Sequence, residues 1–241
     1  MRGGKEVNTK TLEESILIIL STKEMYPEFK AQAETLRKYI EHLSKTYRVD
    51  LAGISSKDDF SNYSDVLDFK YKYINPKLQV SKMCDFISEN RDTLKYDWYL
   101  KTRPEVEIID FDTIDFKNLP KDAVSARARE YIGPYKGKYS CSVGGEGEGS
   151  HSIIKACFFN KENKKLLLDD IVYIFHKTVI EAGGFSEITQ EEPPRPDETG
   201  ENEWYFTRIL TTRSIKLNIV GIDMLFTRKS RGEVMYSGDI V

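Results

Sequence analysis

Residues Ile16-Leu17-Ile18-Ile19-Leu20 admit few placements in a folded chain. Five consecutive apolar side chains, three of them β-branched, leave no polar face for solvent. The segment therefore reads as a strand covered on both sides, as in a parallel sheet. It is the longest apolar run near the start and is too short for a membrane span or the core of a signal peptide, so no membrane span is expected. Ser21-Thr22-Lys23 follow at its exit, where small hydroxyls and a lysine suit a nucleotide as well as an ordinary strand-to-helix loop.

The next segments keep the same rhythm. Pro27 suits a first helical turn. Phe29, Ala33, Leu36, Ile40 and Leu43, at spacings of 4, 3, 4 and 3, form one apolar stripe on a helix. His42 beside it reads as a surface or packing residue. Arg48–Ile54 is a second strand, giving a β-α-β unit with a right-handed crossover. Residues 58–64 form a polar loop and 66–69 a short third strand. Asn75-Pro76 then turns into a second helix with Leu78, Met83, Ile87 and Leu94 on its buried side. The expected fold class is α/β, one domain with a Rossmann-like N-terminal half and a mostly parallel central sheet flanked by helices.

Asp97 opens the strand that matters most for chemistry. Trp98, Tyr99 and Leu100 favour a sheet, Lys101 and Arg103 bring positive charge, and Pro104 ends the pairing because it has no N–H to donate. Glu105 and Glu107 follow the break. Opposite charges thus gather at the C-terminal end of a strand, where open α/β sheets form their ligand crevices. A diphosphate suits such a place, with or without a hard divalent cation on carboxylate oxygens; a solvated turn of alternating charge has the same pattern.

A second candidate is Leu166-Leu167-Leu168-Asp169-Asp170 and the apolar residues after it. Asp169 is placed to cap a helix, with Asp170 in its first turn. Val172, Phe175, Val179 and Ile180 would form its buried face, and Gly183-Gly184 its end. Paired aspartates before a helix are often caps alone, but an apolar run delivering two carboxylates to a cleft can also supply a general base.

Between these stretches, 126–143 reads as irregular strands or a hairpin around Gly133-Pro134 and Gly137. The run Gly144–His151 lacks the GxGxxG order of a dinucleotide fingerprint and reads as a surface loop or a mobile cover. His151 at its end is a weak candidate for catalysis or metal. The Pro-rich acidic loop 191–203 cannot build a core. A short helix over 204–213, strands at 215–219 and 224–226, and a weakly ordered tail from Gly232 complete the chain.

Composition narrows the function. At 241 residues, 39% hydrophobic and 31% charged, the chain suits one substantial globular core. Its 36 basic and 39 acidic residues contain no long basic run, which argues against nucleic acid as a partner. Cys84, Cys141 and Cys157 lack CxxC spacing and read as reduced thiols, so a cytoplasmic location is expected. No glycine-rich loop follows the first strand, which weakens a Rossmann-type methyltransferase.

Three stretches in order resemble one family. They are Lys101-Thr102-Arg103-Pro104-Glu105, then Asp169-Asp170-Ile171-Val172-Tyr173, then Glu203-Trp204 to Leu210 with a strand and a closing Arg228. Together, over residues 15–230, they resemble the GT-A glycosyltransferases of bacterial lipopolysaccharide biosynthesis and of large algal DNA viruses, the chlorella viruses among them. The resemblance implies a nucleotide-sugar donor, a glycan or glycoprotein acceptor, a manganese or magnesium ion on a DxD-like motif, and host cytoplasm if the protein is viral. It divides the domain into a nucleotide-binding half, 15–110, and an acceptor-side half, 111–230, between a loose segment 1–14 and a tail 231–241.

By the same resemblance, Asp170 or Asp169 would lie near the acceptor hydroxyl as catalytic base. Ser21, Thr22, Lys101, Arg103 and Arg228 would hold the donor, and Glu105 and Glu107 the metal. The chain departs from the pattern at one place. No Asp-x-Asp stands at the strand end, and Arg103 occupies the position of its first acid, where a guanidinium can bind diphosphate directly. A catalytically inactive nucleotide- or glycan-binding domain of the same fold is the alternative reading.

Overall fold

The structure, a computed structural model, describes residues 14–22, 29–55, 67–72, 79–103, 106–108, 111–130, 134–135, 138–139, 166–189, 202–222, 224–228 and 233–237. Of the segments singled out above, Pro27, Pro104, Glu105, the glycine run with His151, and residues 191–201 of the Pro-rich loop lie outside the described residues, while 202–203 already belong to a helix.

Strand β1 (Glu14–Thr22) is the buried axis that its composition requires. Ile16, Ile18 and Leu20 face one apolar cluster and Leu17 and Ile19 the other, and all five are buried. Helix α1 (Phe29–Leu43) returns the chain to β2 (Tyr47–Ser55), which pairs parallel to β1. Strand β3 (Phe69–Lys72), helix α2 (Gln79–Glu89) and β4 (Trp98–Thr102) follow. Strand β4 lies on the other side of β1, again parallel.

Leu36, Tyr39 and Leu43 of α1 fill one face of the sheet. Val80, Met83 and Ile87 of α2 fill the other, together with Phe206 and Ile209 of a later helix, α4 (Asn202–Thr212). The apolar periodicity of the first hundred residues therefore reports the observed layers.

The second half adds to the same sheet. After β5 (Val106–Ile108) come β6 (Ala123–Glu130), the small hairpin β7 (Pro134–Tyr135) and β8 (Lys138–Tyr139), and the long strand β9 (Leu166–His176). Strand β9 runs antiparallel between β4 and β6, and β10 (Lys216–Ile219) closes the edge parallel to β6. The seven strands lie in the order β10-β6-β9-β4-β1-β2-β3. A three-stranded antiparallel sheet joins β5, β11 (Met224–Arg228) and β12 (Glu233–Ser237). The fold is α/β with one mostly parallel seven-stranded sheet.

Two expectations fail. Residues 169–175 are strand, not helix; Asp169 caps nothing and Asp170 is in no helical turn. All five residues Ile171–Phe175 are buried, Tyr173–Phe175 with β4 on one side and β6 on the other, and burial on both faces decides in favour of the β-branched and aromatic side chains. Only Lys177–Glu181 is helical (α3), with His176 as its N-cap, and Gly183 at φ +83° and Gly184 close it. The segment expected to be a weakly ordered tail contains β12, whose Val234 and Tyr236 are paired with β11.

Asp97 ties the lower ends of three strands together. Its carboxylate accepts from the Ser15 N–H at 2.9 Å and from Lys177 Nζ at 2.8 Å, and its carbonyl accepts the Lys177 N–H. Burial pushes its carboxyl up, but the bonds from Lys177 and Ser15 outweigh this and hold it below the usual range. Beside it, buried His176 packs edge-on to Trp98 and its Nδ1 accepts from the Thr178 N–H. Burial first, then Lys121 and Lys177, hold this imidazole below the usual histidine range, against Asp97 and Glu14.

A histidine depressed in the fold contributes stability that is complete above its unfolded value of 6.5 and is lost as pH falls from there through the lower folded value. Asp97 loses its share only below 3.8. Urea unfolding between pH 7 and 5 should show falling stability in the wild type and a flatter profile in His176→Gln. Equal slopes would remove His176 as the cause.

Candidate functional site

The C-terminal ends of β1, β2 and β4 form one edge of the sheet. Leu20 pairs with Thr102 and Thr22 with Ser55, so Ser21, the next residue of β1, lies level with Arg103, which follows the end of β4. Crevices form at such edges because the connections diverge there. Ser21, Ser55, Lys101 and Thr102 are all buried at this level.

Strand β9 overhangs the edge. Its pairing with β4 ends at Lys101–Tyr173, and the chain continues toward Leu166 with no β4 residue beside it. Its register with β6 also shifts here: Ala126 faces Tyr173 but Ala128 faces Leu168, so two steps of β6 span five of β9. Such a bulge takes carbonyls off the ladder and re-aims side chains.

Lys101 satisfies two of those carbonyls. Its Nζ donates to the Asp170 carbonyl and, at 3.2 Å, to that of Ile171, and it lies 5.3 Å from the centre of the Tyr173 ring. Lysine supplies what a buried bulge needs, three donors on a long apolar stem. At 0% exposure its ammonium lies beneath the edge and supports β9.

Arg103, the next residue on the same side of β4, reaches Asp170. Its Nη2 lies 3.1 Å from Oδ1 and 3.2 Å from Oδ2. The carboxylate is 1% exposed and the arginine side chain 20%. Tyr173 lies close enough to feel both charges. Burial first, then Asp170, push its phenol well above the usual range, and its hydroxyl has no hydrogen-bond partner among the described residues. The Thr102 hydroxyl is likewise buried without one.

The fold thus brings together Lys101, Arg103 and Asp170, with Ser21 beside them. For Thr22, Asp169 and Arg228 the backbone alone is described. Thr22 ends β1, and Asp169 lies in the bulge of β9. Arg228 ends β11 two residues beyond Phe226, which pairs with Val106 of β5.

Glu107 is exposed on β5 while its neighbours Val106 and Ile108 face the core. No three His, Cys, Asp or Glu side chains converge among the described residues, which do not include Glu105. Sequence reasoning missed Arg127, fully buried at the register shift of β6, because alternating Ala and Arg looks like an exposed strand.

No protein-family model matches the chain, and no curated protein matches it. Solved structures are similar to it. One is a glycosyltransferase involved in glycosylation of the major capsid of PBCV-1, 10% identical over 86% of this chain and 81% of that one, with a TM-score of 0.45. Another is a Drosophila beta-1,4-galactosyltransferase 7 in complex with manganese, UDP-Gal and xylobiose, 6% identical over 93% of this chain and 71% of that one, with a TM-score of 0.45. A third is the 4-diphosphocytidyl-2C-methyl-D-erythritol synthase of Anaerococcus prevotii DSM 20548, 12% identical over 86% and 88%, with a TM-score of 0.45. Among the described residues no helix is long and apolar enough to cross a membrane.

Lys101→Met removes the donor to two buried carbonyls, each costing about 1–3 kcal/mol when left unmade, and also removes a buried charge that offsets part of the loss. The net expectation is a loss of about 2 kcal/mol in urea unfolding. Unchanged stability would mean the ammonium does not hold the bulge.

Proposed function

We propose that the chain is a glycosyltransferase that moves a sugar from a nucleotide-sugar donor to a glycan or glycoprotein acceptor. The observation that carries this reading is the Arg103–Asp170 pair at the C-terminal edge of the sheet. It sets an anion-binding guanidinium beside a carboxylate suited to proton removal, the two groups that the transfer requires.

In this reading Arg103 binds the donor diphosphate, with Ser21, Thr22 and Arg228 around it, while Lys101 supports the bulge from below. The acceptor hydroxyl attacks the anomeric carbon as the bond to the diphosphate oxygen breaks. The proton passes to Asp170, with Asp169 as its neighbour in reserve, and the electron pair leaves with the diphosphate, where Arg103 stabilises the developing charge. This arrangement suits an inverting enzyme. Glu105 and Glu107 would serve a manganese or magnesium ion only if the donor brings one to them, so the dependence on metal is itself a test.

The burial of Asp170 under Arg103 favours a second reading, a nucleotide- or glycan-binding domain without turnover. The experiments separate the two. A ligand that binds only the folded state raises the melting temperature by mass action. One family of nucleoside diphosphates or their sugars should therefore stabilise the protein, with manganese present or absent. Arg103→Gln should abolish that shift. Asp170→Asn should keep it while lowering donor consumption by about a hundredfold or more, as loss of a general base does. Donor binding with no consumption by the wild type, with or without acceptor glycans, would establish the binding domain instead.

A further inference from the structure

We infer that Thr207 of α4 is a positioning residue for the proposed transfer: its buried hydroxyl holds the bulge of β9 that carries Asp170. The inference rests on the transferase reading above and names a second element, besides Lys101, that fixes its base in place.

The bulge is where β9 has least support from the sheet. Tyr173 pairs with Lys101 of β4 and Ala126 of β6, and Leu168 with Ala128 of β6, but residues 169–172 lie between these points outside both ladders. Backbone groups buried at such a place need partners from elsewhere. Lys101 can only donate, and it serves the carbonyls of Asp170 and Ile171. The Leu168 N–H, at the other end of the bulge, needs an acceptor. It donates to Thr207 Oγ1 at 2.7 Å, in a buried bond between residues 39 positions apart.

Helix α4 grips both ends of the segment with consecutive residues. The Phe206 ring lies 4.6 Å from the Tyr173 ring, centre to centre, and Thr207 reaches Leu168. Asp170 lies between these two contacts. Thr207 also stands apart from its surroundings. Its buried neighbours on the helix are Tyr205, Phe206, Ile209 and Leu210, and a threonine among them loses helix propensity and apolar burial to bring in a hydroxyl. The bond to Leu168 gives that hydroxyl a use. Aspartate has a short side chain, so a shift of the backbone at 170 passes directly to the carboxylate and to its contact with Arg103.

Three variants test this. Thr207→Val keeps the branched shape and removes the acceptor, Thr207→Ser keeps the hydroxyl, and Ile209→Val, also buried on α4, controls for a general loosening of the helix. Amide exchange followed by NMR should be about tenfold or more faster at Leu168 in Thr207→Val, with the amides of β1 unchanged. With UDP-hexoses and GDP-hexoses as donors, in manganese and in EDTA, release of nucleoside diphosphate should show kcat lowered about tenfold or more in Thr207→Val at an unchanged KM. Thr207→Ser should recover both properties, and Ile209→Val should keep the wild-type kcat. Melting without ligand reports whether each variant folds, and Thr207→Ala, which also lacks the acceptor, replaces the valine variant if that one does not.

Unchanged exchange at Leu168 overturns the inference, because the bond then does not hold the bulge. Faster exchange with wild-type kcat also overturns it and leaves Thr207 a structural role alone. An equal loss of kcat in Ile209→Val does the same. In each of these cases the transferase reading stands. Release of nucleoside diphosphate by none of the proteins, the wild type included, overturns that reading and the positioning role with it.

Discussion

An ammonium sealed inside a sheet must have acceptors, and Lys101 finds them because β9 is longer than the strand it pairs with. Past Tyr173 no β4 residue continues the ladder, and the bulge against β6 turns the carbonyls of Asp170 and Ile171 toward the lysine. The dependence runs both ways. Without those carbonyls the buried charge loses two acceptors, and without the charge the carbonyls lose a donor. The position of Asp170 follows from this exchange, and the position of Arg103 follows from β4. Their meeting at the sheet edge is thus a consequence of unequal strand lengths.

Such a pair is a poor device for stability. A buried ion pair returns little net energy once both charges have left water, and apolar residues of similar size often do better. The stabilising weight of the fold lies in the two apolar clusters on either side of β1, and in the ties of Asp97 to Ser15 and Lys177 at the opposite edge. The two edges differ in kind. At one, the charges of Asp97 and Lys177 are half exposed and matched by direct hydrogen bonds; at the other, Lys101, Thr102, Tyr173 and Asp170 are sealed, with two hydroxyls unmatched among the described residues. Imperfect polar burial concentrated at the C-terminal edge of the strands, where sheets of this kind form crevices, is what a site retains and a scaffold sheds.

The first hundred residues were legible because their constraint is local. The apolar run of β1 and the stripes of α1 and α2 each state in a few residues which faces are covered, and the layers follow. The segment after Asp169 was misread because its local signals conflict. Two aspartates followed by apolar residues match a helix start, yet Ile171, Val172, Tyr173, Ile174 and Phe175 are sheet formers, and only a neighbour on each side decides between them. In β12, Val234 and Tyr236 carried the signal, but a strand that exists by pairing with β11 has little pattern of its own. Arg103 and Asp170 each stood out as charged residues near a strand, but they are 67 positions apart, and no spacing rule joins them. Their contact depends on the register between β4 and β9, a property of the assembled sheet.

The gradient of exposure across the pair also orders events in the proposed reaction. Whatever enters the edge meets a cation in partial contact with water before it meets an anion without such contact. A neutral sugar hydroxyl arriving first finds Asp170 almost without exposure, whereas a diphosphate arriving first finds the more exposed member of the pair. Donor before acceptor is therefore the order that this gradient of exposure favours in the proposed reaction.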